Sequence, residues 1–219
     1  MAPFVFPDWT NRLRLPAGML LAAAPLYLIG IVYYGGSPKT TDVGYEPLQP
    51  VEYSHAIHVG QLGMDCRYCH TTVQKAGFAA VPPSQTCIGC HGETVKKDSA
   101  LLLPLREAHA ANKPMDWIKV HDLPDFVYFN HAAHTTRGVG CSSCHGRVDK
   151  MERVYQAETI SMAFCLDCHR APENHLRPQS EITNMTYTNK DVAERLAEGL
   201  KIKAERNVKP PTSCSTCHR

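Results

Sequence analysis

The stretch Cys66-Arg-Tyr-Cys69-His70 has four counterparts further along the chain. They are Cys87-Ile-Gly-Cys90-His91, Cys141-Ser-Ser-Cys144-His145, Cys165-Leu-Asp-Cys168-His169 and Cys214-Ser-Thr-Cys217-His218. Together they consume all ten cysteines. Cys-x-x-Cys-His is the attachment sequence of c-type haem: each sulfur adds to a vinyl group and the histidine ligates the iron. A zinc ribbon also uses paired Cys-x-x-Cys runs, and ten cysteines can make a disulfide framework. Neither accounts for a histidine after every second cysteine. On a helical turn, residues three and four apart share a face, so Cys66, Cys69 and His70 can address one macrocycle together. The reading is therefore five covalently bound haems c. Cys66, Cys69, Cys87, Cys90, Cys141, Cys144, Cys165, Cys168, Cys214 and Cys217 attach them, and His70, His91, His145, His169 and His218 ligate their irons.

That count limits the fold. The chain has 219 residues, roughly 37 per haem once an N-terminal apolar run is set aside, which is too few for a conventional core around each. The macrocycles have to supply the core, so folding is expected to require them. The formal charge of +2 becomes about −3 once ten propionates and five ferric porphyrins are added. There is no lysine or arginine block of the kind that marks a nucleic-acid binder.

The apolar run spans residues 17–34, AGMLLAAAPLYLIGIVYY, and carries no charge. It lies at the lower end of what crosses a bilayer as a helix. It exceeds a usual signal-peptide core and lacks a clean Ala-x-Ala site, so an uncleaved anchor is expected rather than a cleaved leader. Arg12 and Arg14 precede it, and Lys39 is the first charge after it. That asymmetry predicts a cytoplasmic N-terminus and a haem region on the periplasmic side of a bacterial inner membrane.

Beyond a Pro/Gly-rich linker, a pattern occurs twice. Tyr53-Ser-His55-Ala-Ile-His58 precedes the first two motifs, and Phe129-Asn-His131-Ala-Ala-His134 precedes the third and fourth, at an offset of 76 residues. Self-similarity at a fixed offset marks repeated structural units. The expected organisation is a cytoplasmic segment (1–14), a transmembrane anchor (15–36) and a linker (37–52). A first two-haem unit with its connector (53–128) and a second two-haem unit (129–188) follow. A C-terminal helix with the fifth site (189–219) ends the chain. Short α-helices and long loops packed around haems are expected, since strand signals are weak throughout. An amphipathic stretch lies near Leu101–Ala111. A C-terminal helix is expected from about Lys190 to Asn207, capped by Asn189, with Val192, Leu196 and Leu200 docking onto the haem units. The fifth haem is expected to be shielded by other segments or by a partner.

Seven histidines lie outside the motifs: His55, His58, His109, His121, His131, His134 and His175. A histidine or methionine on the far side of each iron leaves electron transfer, whereas an open position admits substrate. His-x-x-His places two imidazoles one turn apart, so His55, His58, His131 and His134 are read as distal ligands. The first of each pair is expected to serve the nearer motif and the second the next. For the fifth haem the candidates are His121, His175 and Met185. His109 reads as a solvent-facing histidine, and Met64, Met115, Met151 and Met162 read as packing residues.

These segments resemble the membrane-anchored pentahaem cytochrome c subunit of bacterial alternative complex III. The resemblance rests on the anchor, Tyr53-Ser-His55-x-x-His58, the haem motifs, and Trp117-Ile-Lys-Val-His121-Asp-Leu-Pro-Asp-Phe-Val-Tyr-Phe-Asn-His131. It extends to Cys165-Leu-Asp-Cys168-His169-Arg-Ala-Pro-Glu, Leu176-Arg-Pro and Ile182-Thr-Asn-Met185, covering most of residues 43–186. It implies a multihaem cytochrome c that is not itself an enzyme, and it includes His121 in the family pattern. Electrons would pass from an iron–sulfur, molybdopterin-oxidoreductase-like subunit towards a monohaem cytochrome c, a copper protein or an oxidase. The assembly would be a quinol-oxidising respiratory or photosynthetic complex with NrfD-like integral membrane subunits. Two other classes compete: a multihaem reductase with one open iron, and a single-helix-anchored quinol dehydrogenase. All five motifs keep their histidine and spare ligands outnumber haems, which disfavours the reductase.

Overall fold

In the computed structural model, residues 6–36 and 41–218 are described; Lys39 and Arg219 lie outside them. The chain divides into two units, Met1–Asp42 and Val43–Arg219. In the first, a 3₁₀ turn Asp8–Leu13 leads into helix α1, Arg14–Gly35. Leu, Ala, Ile and Met favour the helix. Pro16 sits in the first turn, where its missing N–H costs nothing, and Pro25 removes one interior hydrogen bond. At 1.5 Å per residue, α1 is roughly 33 Å long, against a hydrocarbon core of roughly 30 Å. Its large apolar side chains are exposed on every side, Leu21 at 77% and Tyr34 at 72%. A helix apolar all round has no face suited to water. The segment Asp8–Gly35 is long and apolar enough to cross a membrane and fits a single-pass anchor.

In the second unit the helices are short: α2 Cys66–Cys69, α3 Ser84–His91, α4 Leu103–Ala110, α5 His131–Thr135, α6 Ser142–His145, α7 Met162–Arg170, α8 Val192–Glu205 and α9 Cys214–Cys217. A π-helical turn, Ala56–Gln61, follows His55. No strand occurs among the described residues; the only bridges are Val127 with His218 and Val139 with Leu176. Side-chain caps start the helices: Asp65 accepts from Arg67 N, Asn130 from Ala133 N, and Ser161 from Phe164 N. Few apolar side chains are buried. A small cluster, Leu176, Ile202 and Val208, packs with Val139, and Met151, Ile182 and Met185 are buried elsewhere. Met162, by contrast, is 64% exposed. The protein atoms alone do not make a core of the size this chain length calls for.

The two copies of the repeat interlock. His131 N and Ala132 N donate to Gly77 O and Ala76 O of the first copy, and Thr135 Oγ1 donates to Val73 O.

The C-terminal helix departs from the sequence expectation. Asp191 caps it, accepting from Ala193 N and Glu194 N; the side chain of Asn189, the expected cap, lies outside the described ones. Against protein atoms alone, Val192, Leu196 and Leu200 are 68%, 37% and 50% exposed. The buried face carries Gly199 and Ile202 instead. The reason is a close backbone approach: a Cβ on Gly199 would lie 1.9 Å from Glu173 O. The only residue without a side chain therefore selects the face, and Lys203 Nζ ties it with a 2.7 Å bond to Glu173.

Candidate haem sites

The repeat sequences build the same ring cluster twice. Tyr53 meets His55 edge-on at 4.8 Å and stacks on His58 at 4.4 Å. Phe129 meets His131 edge-on at 4.8 Å and stacks on His134 at 4.7 Å. The last histidine of each cluster donates Nδ1–H four residues back, His58 to Ser54 O and His134 to Asn130 O, both at 2.8 Å. An aromatic residue two positions before each His-x-x-His is thus a clamp that orients both imidazoles. The sequence shows its recurrence but not its role.

Two imidazoles bound to opposite faces of one iron have ring centres ~6 Å apart, given metal–nitrogen bonds of ~2.0–2.1 Å. His58 and His91 are 6.1 Å apart, His131 and His145 6.4 Å, and His134 and His169 6.1 Å. Each of these pairs joins a histidine outside the motifs to a motif histidine. His55 lies within electrostatic reach of His70. Among the motif histidines, His70, His91 and His169 hold Nδ1 against Ala80 O, Val95 O and Pro211 O at 2.8, 2.9 and 2.6 Å. His131 holds Nδ1 against Gly77 O at 3.0 Å. A carbonyl at Nδ1 fixes the tautomer and leaves Nε2 to face a metal.

Burial supports the neutral, ligating form. It pushes His145 down to about 3, with His121, His131, His70 and His55 adding to the effect. It pushes His55 down to about 4, with His70 and His58 contributing. None of the ten cysteines is in a disulfide, and among the described residues no cluster of His, Cys, Asp and Glu forms a metal cage. The residues present fit haem.

A cavity of 540 Å³ is lined by His134, His169 and Cys168, and also by Pro210, Pro211 and Cys217. The fourth and fifth motifs therefore share a wall supplied by the C-terminal segment. A second cavity, 300 Å³, is lined by Met64, Asp65, Cys66, Asp149 and Met185. Neighbouring attachment cysteines give a spatial order. Cys87 is in reach of Cys69, Cys66 of Cys141, Cys144 of Cys168, and Cys165 of Cys217. These pairs link the second site to the first, the first to the third, the third to the fourth and the fourth to the fifth.

The remaining candidates are scattered. His121 packs edge-on to His145 at 4.4 Å, too close for an iron between them, and its Nε2 is buried without a partner. It therefore lies by the third motif. Met185 lines the cavity at Cys66, and His175 faces Asp167, Arg177 and Arg195. The ring next to His218 is Phe126, at 5.8 Å. Val127 and Tyr128 bond the same segment, Tyr128 N donating to Cys217 O. His109, expected to face solvent, is half-buried beside Ser84 Oγ at 3.4 Å.

Residues 127–219 match the family model "Cytochrome c7 and related cytochrome c". The chain is also 30% identical over 148 residues to the menaquinone reductase multihaem cytochrome c subunit of Nitratidesulfovibrio vulgaris, a match covering 58% of this chain and 70% of that protein. With the repeated attachment motifs, the strandless helical fold and the facing imidazoles, this relationship places the chain among the multihaem cytochromes c, the electron-transfer proteins that carry haem c.

Proposed function

We propose that the chain holds five haems c and serves as the electron-relay subunit of a quinol-oxidising membrane complex of the alternative complex III type. The observation that carries the relay is the unbroken series of neighbouring attachment cysteines, linking the second site to the first, the first to the third, the third to the fourth and the fourth to the fifth. Haem supplies reversible one-electron chemistry at iron. The chain's own residues attach, orient and shield it. Each Cys-x-x-Cys-His run holds one macrocycle. His55 faces His70, His58 faces His91, His131 faces His145, and His134 faces His169. Tyr53 and Phe129 keep the distal rings in place, and backbone carbonyls at Nδ1 would leave Nε2 free to hold the iron. With an imidazole on each side, these four sites would favour electron transfer over substrate turnover.

The helix α1 would tether the subunit to the bacterial inner membrane, with the haem region on the periplasmic side. An iron–sulfur, molybdopterin-oxidoreductase-like subunit and NrfD-like membrane subunits would be its neighbours. A monohaem cytochrome c, copper protein or oxidase would take the electrons. The resemblance set out above supports these partners. One observation favours a second reading: the relative's name is that of a menaquinone reductase. On that reading the same relay carries electrons into the quinone pool.

The test is the purified full chain in detergent. A pyridine haemochrome assay is expected to give five haems c, EPR to give mainly low-spin ferric signals, and menaquinol to remain unoxidised. Menaquinol turnover by the chain alone would favour a self-sufficient quinol dehydrogenase. A substantial high-spin signal that binds nitrite would sink the relay. Quinone reduction by the intact complex, with a periplasmic electron donor, would favour the second reading.

A further inference from the structure

Arg177 is 2% exposed, among the most deeply buried side chains in the molecule. It runs beneath the third attachment motif. Nη1 donates to Ser142 Oγ at 3.3 Å and to Asn184 O at 3.0 Å, and Nη2 donates to Ser143 Oγ at 3.2 Å. Its guanidinium carbon lies 4.5 Å from the centre of the Tyr187 ring. None of these partners is a carboxylate, and Nε is buried with no hydrogen bond. The backbone is shaped around it. Arg177 N donates to Gly138 O at 2.9 Å, Gly138 has φ +107°, and a Cβ on Gly140 would come within 2.2 Å of the guanidinium. The run Gly138-Val-Gly140 before Cys141 is therefore the room this side chain needs.

An arginine cannot shed its charge by deprotonating, so burying its guanidinium carries a desolvation cost. The cost has a use when a redox centre lies alongside, because a fixed cation stabilises the form with one more electron. Cys141 is within electrostatic reach of the guanidinium. Glu181, Arg195 and Tyr187 are the other groups whose fields reach it. We propose that Arg177 is a potential-setting residue for the third haem: its buried charge raises the reduction potential of the central site of the relay. This rests on the five-haem reading above.

One charge roughly 10 Å from a redox centre, at an effective dielectric of ~20, changes its reduction equilibrium constant about tenfold. Tenfold corresponds to 59 mV for one electron. The experiment is a spectroelectrochemical titration of the full chain and of Arg177→Gln, Arg177→Lys and Ser143→Asp, each with its haem count measured. Arg177→Gln should move about one fifth of the titrating absorbance to lower potential by about that amount. Arg177→Lys should stay near the parent. Ser143→Asp keeps the arginine but neutralises it, and should reproduce the shift even if Arg177→Gln fails to acquire haem. Five haems with superimposable titrations in Arg177→Gln or Ser143→Asp would overturn the proposal. So would an Arg177→Lys shift as large as that of Arg177→Gln. A parent protein with fewer than five haems would instead refute the five-haem reading.

Discussion

Replacing Gly199 with alanine tests how the C-terminal segment is held over the fourth site. In an exposed helix, alanine is favoured over glycine by about 1 kcal/mol, so α8 considered alone predicts stabilisation. Packing predicts the opposite sign. The new Cβ would lie 1.9 Å from Glu173 O, where ordinary contact is 3.4–4 Å, so the helix must retreat by about 1.5 Å or distort. The obstacle is a backbone carbonyl and cannot rotate away. Overpacking of this kind costs about 1–3 kcal/mol. Retreat also loosens Ile202, now 6% exposed, for about another 1 kcal/mol, and stretches the Lys203–Glu173 ion pair. The balance is a loss of about 1–3 kcal/mol, or roughly 2–10 °C in Tm for a chain of this size. The assay is thermal unfolding of the haem-loaded protein, followed by the Soret band. Leu200→Ala is the control: Leu200 is 50% exposed, so its loss should stay within about 0.5 kcal/mol. A Tm for Gly199→Ala equal to or above the parent would refute the docking of α8 on Glu173. A larger loss from Leu200→Ala would show that the outward face is the packed one.

The ring pairs make a second prediction: His134→Ala should convert one haem of five to high spin by EPR, and His58→Ala a different one, each leaving the haem count unchanged. A double variant showing two high-spin haems would support independent pairs, whereas loss of the same signal in both would refute the pairing. A third concerns acid. Hydrogen bonds from Arg67 hold the Asp65 carboxyl down, from 3.8 to about 2. A lowered carboxylate contributes stability that is present above its unfolded value and is lost as pH falls towards the folded one. Because Asp65 is 40% exposed, the contribution is discounted to below ~1 kcal/mol. Asp65→Asn should therefore lower Tm slightly at neutral pH and flatten its dependence between about pH 4 and 2; parallel pH curves for variant and parent would contradict this.

The chemistry of this protein was legible along the chain because haem attachment is a local event. Two sulfurs and an imidazole must reach one macrocycle, so Cys66, Cys69 and His70 must lie within one turn, and any such spacing is visible as a motif. The apolar run ending at Tyr34 was legible for the same reason, since length and composition suited to a bilayer are continuous in sequence. The tandem arrangement of Tyr53-x-His55 and Phe129-x-His131 likewise survives in sequence. What brings residues together across long separations did not. His169 bonds Pro211 O, 42 residues away, and Cys66 comes into reach of Cys141, so the first motif neighbours the third. The face of α8 illustrates the difference. Period 3.6 selects Val192, Leu196 and Leu200, yet the carbonyl of Glu173 admits only Gly199, because close backbone approach is a steric fact about two segments. Likewise His121 has the composition and setting of a fifth-site ligand, and only tertiary packing puts it against His145. Cofactor chemistry was therefore determined by covalent, short-range requirements in the sequence. The order of the relay, the buried charge of Arg177 and the seat of the C-terminal helix were decided by contacts that exist only once the chain has folded.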